Sequence, residues 1–297
     1  MIYESILDRI GNTPLVRIRE ITKDLPRKVE VYAKLEYFNP GGSVKDRAAS
    51  EMVFEGIRSG LLTKDKIIMD PTSGNTGISY AMIGATLGYK VELVMPANAS
   101  TQRKDICESF GAKLTFSSEF EGSDGAIRMA RELFSKNPGK YFMPDQYNNP
   151  KNPGAHYRTT GAEIWQQTQG RITHFVATMG TSGTAMGTTR RLKEFNPRIL
   201  CFGGQPADAL HGLEGLKHMP SSIVPGIYDE SILDEVMWLD TEKSYDMVNR
   251  LGCEEGLVVG YSSGAAMCAA LEGASKLTEG VVVTIFPDHG DRYFELT

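Results

Sequence analysis

From about residue 29 onward, short apolar segments rich in β-branched residues alternate with segments of helical periodicity. The apolar segments predict nine strands, at residues 29–36, 67–70, 91–95, 113–116, 140–143, 174–179, 199–203, 236–239 and 281–286. The intervening segments repeat apolar positions every three or four residues, and several end at glycine, as at Gly60, Gly88 and Gly111. Strands that alternate with helices are typical of a mostly parallel sheet covered by helices, so the sequence predicts an α/β protein.

A polar, proline-rich stretch near the middle of the chain predicts a domain boundary. Residues 144–153 read Pro-Asp-Gln-Tyr-Asn-Asn-Pro-Lys-Asn-Pro, a composition that breaks regular structure. A chain of 297 residues can form one large domain or two ordinary ones. The central position of the stretch favours two domains.

The charge pattern limits the kinds of partner that we expect the protein to bind. The formal net charge is −5, and the long basic runs that would follow a nucleic acid or an anionic membrane are missing from the sequence. The apolar run 281–286 is far too short to cross a membrane, and the first residues include Glu4 and Asp8 instead of an apolar signal core. We therefore expect no nucleic acid or membrane partner and a cytoplasmic location.

Cysteine and histidine spacing predicts no metal site. The four cysteines, Cys107, Cys201, Cys253 and Cys268, have no C-x-x-C spacing, and the five histidines form no ligand pattern. We interpret the cysteines as buried free thiols.

Lys45 lies in a glycine turn that opens a predicted helix. Residues 39–47 read Asn-Pro-Gly-Gly-Ser-Val-Lys-Asp-Arg. Most lysines are solvated surface charges, but a helix start and partial burial would both lower the pKa of this amine toward a nucleophilic state. A neutral amine can attack an aldehyde, so Lys45 is a candidate for Schiff-base chemistry. Asp46 and Arg47 are assigned to helix capping and a local ion pair.

A second turn, Thr-Ser-Gly-Asn-Thr-Gly at residues 72–77, follows a predicted strand and opens the next helix. Its hydroxyls either cap that helix or, together with backbone N–H groups, capture a carboxylate through charge-assisted hydrogen bonds of roughly 1.5–3 kcal/mol each. The amide of Asn75 can also donate to a ring oxygen of a bound cofactor.

A third turn, Gly-Thr-Ser-Gly-Thr at residues 180–184, also joins a strand to a helix. Successive N–H groups and hydroxyls there can hold a phosphate, and the equally weighted alternative is a plain tight turn. Neither the triphosphate-binding loop nor the dinucleotide fingerprint fits these residues. A fourth turn at 260–264, Gly-Tyr-Ser-Ser-Gly, offers a serine either as a helix cap or to face a pyridine nitrogen without holding it protonated.

In this order, the four turns closely resemble those of the cysteine synthases, which are pyridoxal-phosphate enzymes of β-elimination and replacement. The resemblance runs nearly end to end and includes Ile-Gly-Asn-Thr-Pro-Leu at 10–15 and Pro-Asp-His-Gly-Asp-Arg-Tyr at 287–293. Segments 148–150, 161–165 and 170–175 are most similar to the B-type branch of the O-acetylserine sulfhydrylases.

The resemblance implies two doubly wound domains of the tryptophan synthase β-like fold, with mostly parallel sheets. Residues 35–145 would form the N-terminal domain, with a mobile part near 90–130 that closes on substrate. Residues 13–34 and 146–297 would form the C-terminal, phosphate-binding domain, and residues 1–12 an N-terminal arm. A homodimer is also implied.

It further implies the roles of individual residues. Pyridoxal 5'-phosphate would form a Schiff base with Lys45, and its ring would meet Asn75 at the oxygen and Ser262 at the nitrogen. Its phosphate would be held by Gly180, Thr181, Ser182, Gly183 and Thr184. The substrate carboxylate would be bound by Thr72, Ser73, Gly74, Thr76 and Gln146. O-acetyl-L-serine would then lose its α-proton to Lys45 and acetate from Cβ, and sulfide or a related donor would add there to give L-cysteine.

Lys217 is a departure within this resemblance. It lies in Gly-Leu-Glu-Gly-Leu-Lys-His at 212–218, where B-type relatives often carry an arginine that shapes the entry for larger anions. Lysine keeps the charge but loses the planar fork that reads phosphate or thiosulfate. O-phosphoserine sulfhydrylase, cystathionine β-synthase and serine/threonine dehydratase activities therefore remain alternatives, with a non-catalytic amino-acid binding module as a further one. The sequence leaves open the leaving group, the sulfur donor and the docking of a serine acetyltransferase.

Overall fold

The computed structural model describes residues 2–72 and 74–293, and it contains both helices and strands throughout. The strands are β1 Leu15–Ile18, β2 Lys28–Leu35, β3 Ile67–Pro71, β4 Lys90–Pro96, β5 Lys113–Ser117, β6 Tyr141–Phe142, β7 His174–Thr178, β8 Leu200–Pro206, β9 Glu235–Leu239 and β10 Glu279–Phe286. The α-helices are α1 Lys45–Arg58, α2 Asn75–Leu87, α3 Thr101–Ser109, α4 Gly122–Lys136, α5 Lys151–Arg158, α6 Thr160–Gln167, α7 Gly183–Phe195, α8 Thr241–Glu255 and α9 Tyr261–Ser275.

The chain divides into two compact units. The N-terminal unit comprises residues 1–10 and 39–152, and the C-terminal unit comprises residues 11–38 and 153–297. These divisions fall at 38/39 and 152/153, whereas the sequence boundaries were placed at 34/35 and 145/146. Residues 1–10 belong to the N-terminal unit. The closure expected near residues 90–130 stays a prediction.

A four-stranded parallel sheet in the order β5-β4-β3-β6 forms the centre of the N-terminal unit. Apolar side chains of β3, β4, α1 and α2 form its main core, including the fully buried Ile68, Leu93, Met52 and Ile83. Because the strands are parallel, their carboxyl ends lie at one edge, and the loops that follow β3 and β6 start there. Those loops carry residues 72–77 and 143–149.

The C-terminal unit is built on a six-stranded sheet in the order β1-β2-β10-β7-β8-β9. The pairs β2–β10, β10–β7, β7–β8 and β8–β9 are parallel, and β1 pairs antiparallel with β2. Its core includes Val31, Val282, Phe286 and the small residues of α9, such as Ala265 and Ala269, which let that helix approach the strands closely.

The α/β prediction and all nine predicted strands are confirmed, with ends that shift by at most three residues, the largest shift being at the carboxyl end of β8. Strand β1 was missed because it has four residues and follows Pro14, which leaves too short a pattern to read. Its position is fixed by a buried contact next to it: the Lys34 ammonium lies 2.7 Å from Glu163 Oε2 and donates to the Thr13 carbonyl at 3.0 Å.

Two further observations bear on the sequence expectations. Among the residues that the structure describes, no helix is both long and apolar enough to cross a membrane. All four cysteines are free thiols, and Cys107 and Cys201 are buried as expected. The expectation of burial was wrong for Cys253, which is exposed on α8, and Cys268 is only partly buried.

Candidate active site

Lys45 is the first residue of α1, and the turn before it is compact. The N–H of Gly42 donates to the carbonyl of Asn39 at 2.8 Å, and Gly42 has φ +77°, a conformation that favours glycine. The buried Ser43 accepts a hydrogen bond from the Lys45 N–H at 3.3 Å. The lysine side chain is partly buried, which suits an amine that is shielded from bulk water but reachable.

Asp46 fixes this turn from inside. Its fully buried carboxylate accepts hydrogen bonds from the Gly41 N–H and from the Ser79 hydroxyl, both at 2.6 Å. A Cβ on Gly41 would lie 2.3 Å from Asp46 Oδ1, so only glycine fits there. Because the Ser79 hydroxyl also lies 3.1 Å from the Asn75 carbonyl oxygen, Asp46 links the start of α1 to the first turn of α2.

The 72–77 loop is held by its own hydroxyls. The Oγ1 atom of Thr72 accepts from the N–H groups of Gly74 and Gly77, each at 3.1 Å. A Cβ on Gly77 would lie 2.8 Å from the Thr72 methyl group, which shows how tightly the loop packs. Ser73 lies outside the described residues. Asn75 is the first residue of α2 and is partly exposed, so its side chain is accessible.

Gln146 joins this group of side chains. Its Oε1 accepts from the hydroxyl of Thr76 at 2.9 Å, and its Nε2 donates to the carbonyl of Pro71 at 2.7 Å. Both Thr76 and Gln146 are nearly buried. The structure therefore brings Thr72, Gly74, Thr76 and Gln146 together, as the carboxylate-binding hypothesis requires.

In the C-terminal unit, the 180–184 loop joins β7 to α7. The loop is crowded against residues 212–217: a Cβ on Gly180 would lie 2.1 Å from the Gly215 carbonyl oxygen, and the Lys217 N–H donates to the Met179 carbonyl at 3.0 Å. Lys217 is itself nearly buried. The sequence segment of Lys217 thus supports the loop directly.

Ser182 provides a test of whether this loop suits a phosphate. It precedes α7 in a left-handed conformation, φ +69°, and makes no side-chain cap hydrogen bond. Its hydroxyl is buried, and among residues 2–72 and 74–293 it has no hydrogen-bond partner. The first N–H groups of α7 likewise have no acceptor within the helix. A buried polar group without a partner is costly, and a phosphate oxygen would satisfy it. The residues present fit the phosphate of pyridoxal phosphate.

Thr184 contacts a residue that the sequence did not single out. Its Oγ1 lies 3.3 Å from Nε2 of His156, whose Nδ1 lies 2.9 Å from Oγ1 of Thr160. His156 is buried on α5, and α5 approaches α7 so closely that a Cβ on Gly187 would lie 2.0 Å from the Pro153 carbonyl oxygen. His156 stands alone in sequence, which gave no motif from which to infer this contact.

Ser262 is the second residue of α9 and is nearly buried. The helix start is fixed by Asp288, whose carbonyl accepts from the Gly260 N–H at 3.2 Å and whose Oδ2 accepts from the Tyr293 hydroxyl at 2.7 Å. A Cβ on Gly260 would lie 2.2 Å from Asp288 Oδ1. The first turn of α9 therefore has little freedom to move.

The start of α9 and the 180–184 loop lie at the same edge of the six-stranded sheet. Val259 pairs with His289, which follows the carboxyl end of β10, and the 180–184 loop follows the carboxyl end of β7. Strands β10 and β7 are parallel neighbours. Carboxyl ends of neighbouring parallel strands are the usual binding edge of an α/β sheet.

Arg103 is a further candidate that sequence reasoning missed. It is buried on α3, and its Cδ lies 3.0 Å from the place that a Cβ on Gly74 would occupy. Its position beside the 72–77 loop would add positive charge to an anion site. In the sequence it is one of many basic residues on a helical pattern. Within the described residues, no three His, Cys, Asp or Glu side chains group as metal ligands.

Comparisons with known proteins identify the family of the chain. Residues 6–288 match the pyridoxal-phosphate dependent enzyme family. The chain is 54% identical to cysteine synthase of Aquifex aeolicus, covering 98% of this chain and 90% of that protein. It is 43% identical to cysteine synthase B of Escherichia coli, covering 96% and 92%. The crystal structure of cysteine synthase from Entamoeba histolytica superposes with a TM-score of 0.95 at 35% identity, covering 100% of this chain and 90% of that chain.

The fold and the family match define an enzyme that uses pyridoxal phosphate, on the tryptophan synthase β-like fold. Within that class, the chain belongs to the cysteine synthase family, in its B-type branch.

Proposed function

We propose that this enzyme converts O-acetyl-L-serine and hydrosulfide into L-cysteine and acetate. The full-length similarity to cysteine synthases supports the reaction type. The observation that carries the proposal is the amine-bearing Lys45 at the first residue of α1, after a turn that the Asp46 carboxylate holds in one conformation.

The proposed reaction moves one proton, which leaves Cα of the substrate and later returns to it. Bound pyridoxal phosphate supplies an aldehyde for the substrate amino group and a conjugated ring that withdraws electrons from Cα. Nζ of Lys45 would take the proton from Cα of the bound amino acid, while the Cβ–O bond breaks and acetate leaves with the electron pair. Hydrosulfide would then form the C–S bond at Cβ, and Nζ of Lys45 would return the proton to Cα.

The remaining residues of the proposed site bind and orient the cofactor and the substrate. In the C-terminal unit, Gly180, Thr181, Ser182, Gly183 and Thr184 would hold the phosphate through N–H groups and hydroxyls, and the Ser262 hydroxyl would serve the ring nitrogen. In the N-terminal unit, the Asn75 amide would donate to the ring oxygen. Thr72, Ser73, Gly74, Thr76 and Gln146 bind the substrate carboxylate. Lys217 attracts the anionic leaving group or sulfur donor as a point charge.

We further propose that the enzyme is a cytoplasmic homodimer in which the part near residues 90–130 closes on substrate. The assembly is tested by light scattering, which should give twice the mass of one chain. A mass equal to one chain would reject the dimer. Hydrogen exchange across residues 90–130 should slow when O-acetylserine is added, and no change would reject closure.

The function is tested by a substrate panel. Purified enzyme saturated with pyridoxal phosphate is given O-acetylserine or O-phosphoserine, each with sulfide or thiosulfate, and cysteine is measured. We expect turnover of O-acetylserine with sulfide. Absence of cysteine from that pair would overturn the proposal, and faster use of O-phosphoserine would reassign the leaving group.

The role of Lys45 is tested by Lys45→Ala. We expect activity to fall at least about a thousandfold, since both the covalent site and the base are lost. Borohydride treatment followed by mass spectrometry should find the cofactor attached to Lys45 in the wild type and no attachment in the variant. Lys136→Ala, which removes an exposed amine paired with Glu132, is the matched control and should keep both properties.

A further inference from the structure

We propose that Asp70 is a positioning residue for the carboxylate of the amino-acid substrate, because its buried side chain holds the turn that carries Gln146. This inference rests on the proposed function, in which Gln146 contacts that carboxylate. It assigns a task to a residue in the strand before the 72–77 loop, outside every motif that the sequence reasoning used.

The Asp70 carboxylate lies near the end of β3 and accepts three hydrogen bonds. Oδ1 accepts from the Asp145 N–H at 3.1 Å, and Oδ2 accepts from the Gln146 N–H at 3.2 Å and from the Tyr80 hydroxyl at 2.8 Å. Asp70 and Tyr80 are both fully buried. Burial raises the pKa of Asp70 to about 8, while the hydrogen bonds from Tyr80 and Gln146 lower it, and in either protonation state each side-chain oxygen can accept from a backbone N–H.

The turn at 145–147 needs such an acceptor. Strand β6 ends at Phe142, so the N–H groups of Asp145 and Gln146 have no neighbouring strand to receive them. Asp145 has φ +52°, a left-handed conformation that is uncommon outside glycine but that aspartate tolerates better than most residues. The turn has its own hydrogen bonds from the N–H groups of Asn148 and Asn149 to the Asp145 carbonyl, and Asp70 adds the acceptors for the N–H groups of Asp145 and Gln146, which would be costly to leave unpaired.

The same strand end fixes the side chain of Gln146. The Pro71 carbonyl can only accept, so the nitrogen of the Gln146 amide faces Pro71 and the oxygen faces Thr76. The Thr76 hydroxyl therefore donates its one hydrogen to Oε1 of Gln146. The second hydrogen of Nε2 has no acceptor among the described residues, and it is the donor that remains for a carboxylate.

Two adjacent residues thus hold Gln146 by two different parts. Asp70 holds its backbone N–H, and Pro71 holds its side-chain amide. Asn152 adds a third contact, because its Nδ2 donates to the Gln146 carbonyl at 2.7 Å. A displacement of the turn would move the remaining Nε2 hydrogen away from the substrate carboxylate without touching Lys45.

The first test is Asp70→Asn, with Tyr80→Phe as the matched control. Asparagine keeps the size of the side chain but replaces one acceptor oxygen by a donor, so one of the two backbone N–H groups loses its acceptor. We expect the KM for O-acetylserine to rise about tenfold, with kcat and the KM for sulfide within about twofold of wild type. Tyr80→Phe leaves both backbone hydrogen bonds in place and should change the KM for O-acetylserine by less than about twofold.

The second test asks whether Asp70 acts through Gln146. Gln146→Ala should raise the KM for O-acetylserine on its own. Adding Asp70→Asn to it should then raise that KM no further, because the donor that Asp70 positions is already gone. Independent, multiplying effects of the two substitutions on KM, or an unchanged KM in Asp70→Asn, would overturn the inference.

A third measurement needs no turnover. Residue-resolved amide exchange of the wild type without cofactor should show the Gln146 N–H strongly protected, and the same amide should exchange faster in Asp70→Asn than in Tyr80→Phe. Fast exchange at Gln146 in the wild type would overturn the inference even where Asp70→Asn does not fold. A wild type that makes no cysteine but protects this amide would reject the proposed function and leave Asp70 as a structural brace only.

Discussion

The 72–77 and 180–184 loops have similar residues but satisfy their hydroxyls differently. In the first loop, Thr72 accepts from two backbone N–H groups and Thr76 donates to Gln146, so both hydroxyls form hydrogen bonds to other groups of the protein. In the second, the Ser182 hydroxyl is buried and has no partner in the part of the chain that the structure describes. The hydroxyls of Thr72 and Thr76 are satisfied within the protein, whereas under the proposed function the Ser182 hydroxyl would be satisfied by the cofactor phosphate.

Under the proposed function, this difference would suit the two turns to different ligands. A satisfied loop keeps its shape before substrate arrives, which lowers the ordering cost of binding a small, exchangeable anion. A loop with an unsatisfied buried hydroxyl is stabilised when a permanent cofactor supplies the missing acceptor. The substitutions below should therefore separate stability without cofactor from cofactor affinity.

Gly180→Ala should have the largest effect. A Cβ there would lie 2.1 Å from the backbone carbonyl oxygen of Gly215, so the backbone of one of the two segments would have to shift. We expect a loss of about 3 kcal/mol in the free energy of unfolding, as for an overpacked core, and loss of cofactor binding. Chemical denaturation and a titration of cofactor absorbance measure the two quantities.

Gly139→Ala is the control for this comparison. Position 139 is exposed, and a Cβ there would meet nothing within 4 Å. Its unfolding free energy and cofactor affinity should match the wild type within about 0.5 kcal/mol. Equal behaviour of the two variants would show that the contact between residues 180 and 215 is not tight in solution.

Thr72→Val should mainly lower the free energy of unfolding. Valine keeps the shape of threonine but removes the oxygen that accepts from Gly74 and Gly77. Because the Gly77 N–H also bonds to the Gly74 carbonyl at 2.9 Å, only the Gly74 N–H loses its acceptor. We expect about 2 kcal/mol less unfolding free energy, with or without cofactor. A variant as stable as wild type would contradict a self-sufficient loop.

The sequence predicted the elements well because strand and helix patterns are local. Nine strands and the helix starts at Lys45, Asn75 and Gly183 follow from periodicity and glycine turns. It could not predict which hydroxyls would find partners. Thr72 and Ser182 look alike in sequence, and their different roles depend on N–H groups and carbonyls that only the folded backbone brings near.

The sequence also could not predict contacts between residues that are far apart along the chain. Asp46 was assigned to helix capping and a local ion pair, but its carboxylate also accepts from Ser79, 33 positions away. His156 and Asp70 carry no motif, and each has a partner far along the chain: Thr184 is 28 residues from His156, and the N–H groups of Asp145 and Gln146 are 75 and 76 residues from Asp70. Such pairs arise from the packing of α1 on α2, of α5 on α7, and of a turn on the end of β3.

Ser182→Ala should change the free energy of unfolding least. Any change should be an increase, whereas Gly180→Ala and Thr72→Val should lower it. Without cofactor, removing a buried hydroxyl that has no partner should leave the free energy of unfolding unchanged or raise it by up to about 1 kcal/mol. The affinity for pyridoxal phosphate should fall about tenfold or more, because one charge-assisted hydrogen bond to phosphate is lost.

Ser263→Ala is the matched control for Ser182→Ala. Ser263 is also buried, and its hydroxyl likewise lacks a partner among residues 2–72 and 74–293, but it is packed inside α9 and the core of the six-stranded unit. It should show the same small effect on unfolding without cofactor and no change in cofactor affinity. An unchanged affinity in Ser182→Ala would mean that the phosphate does not satisfy that hydroxyl, and the contrast between the two loops would then lose its basis.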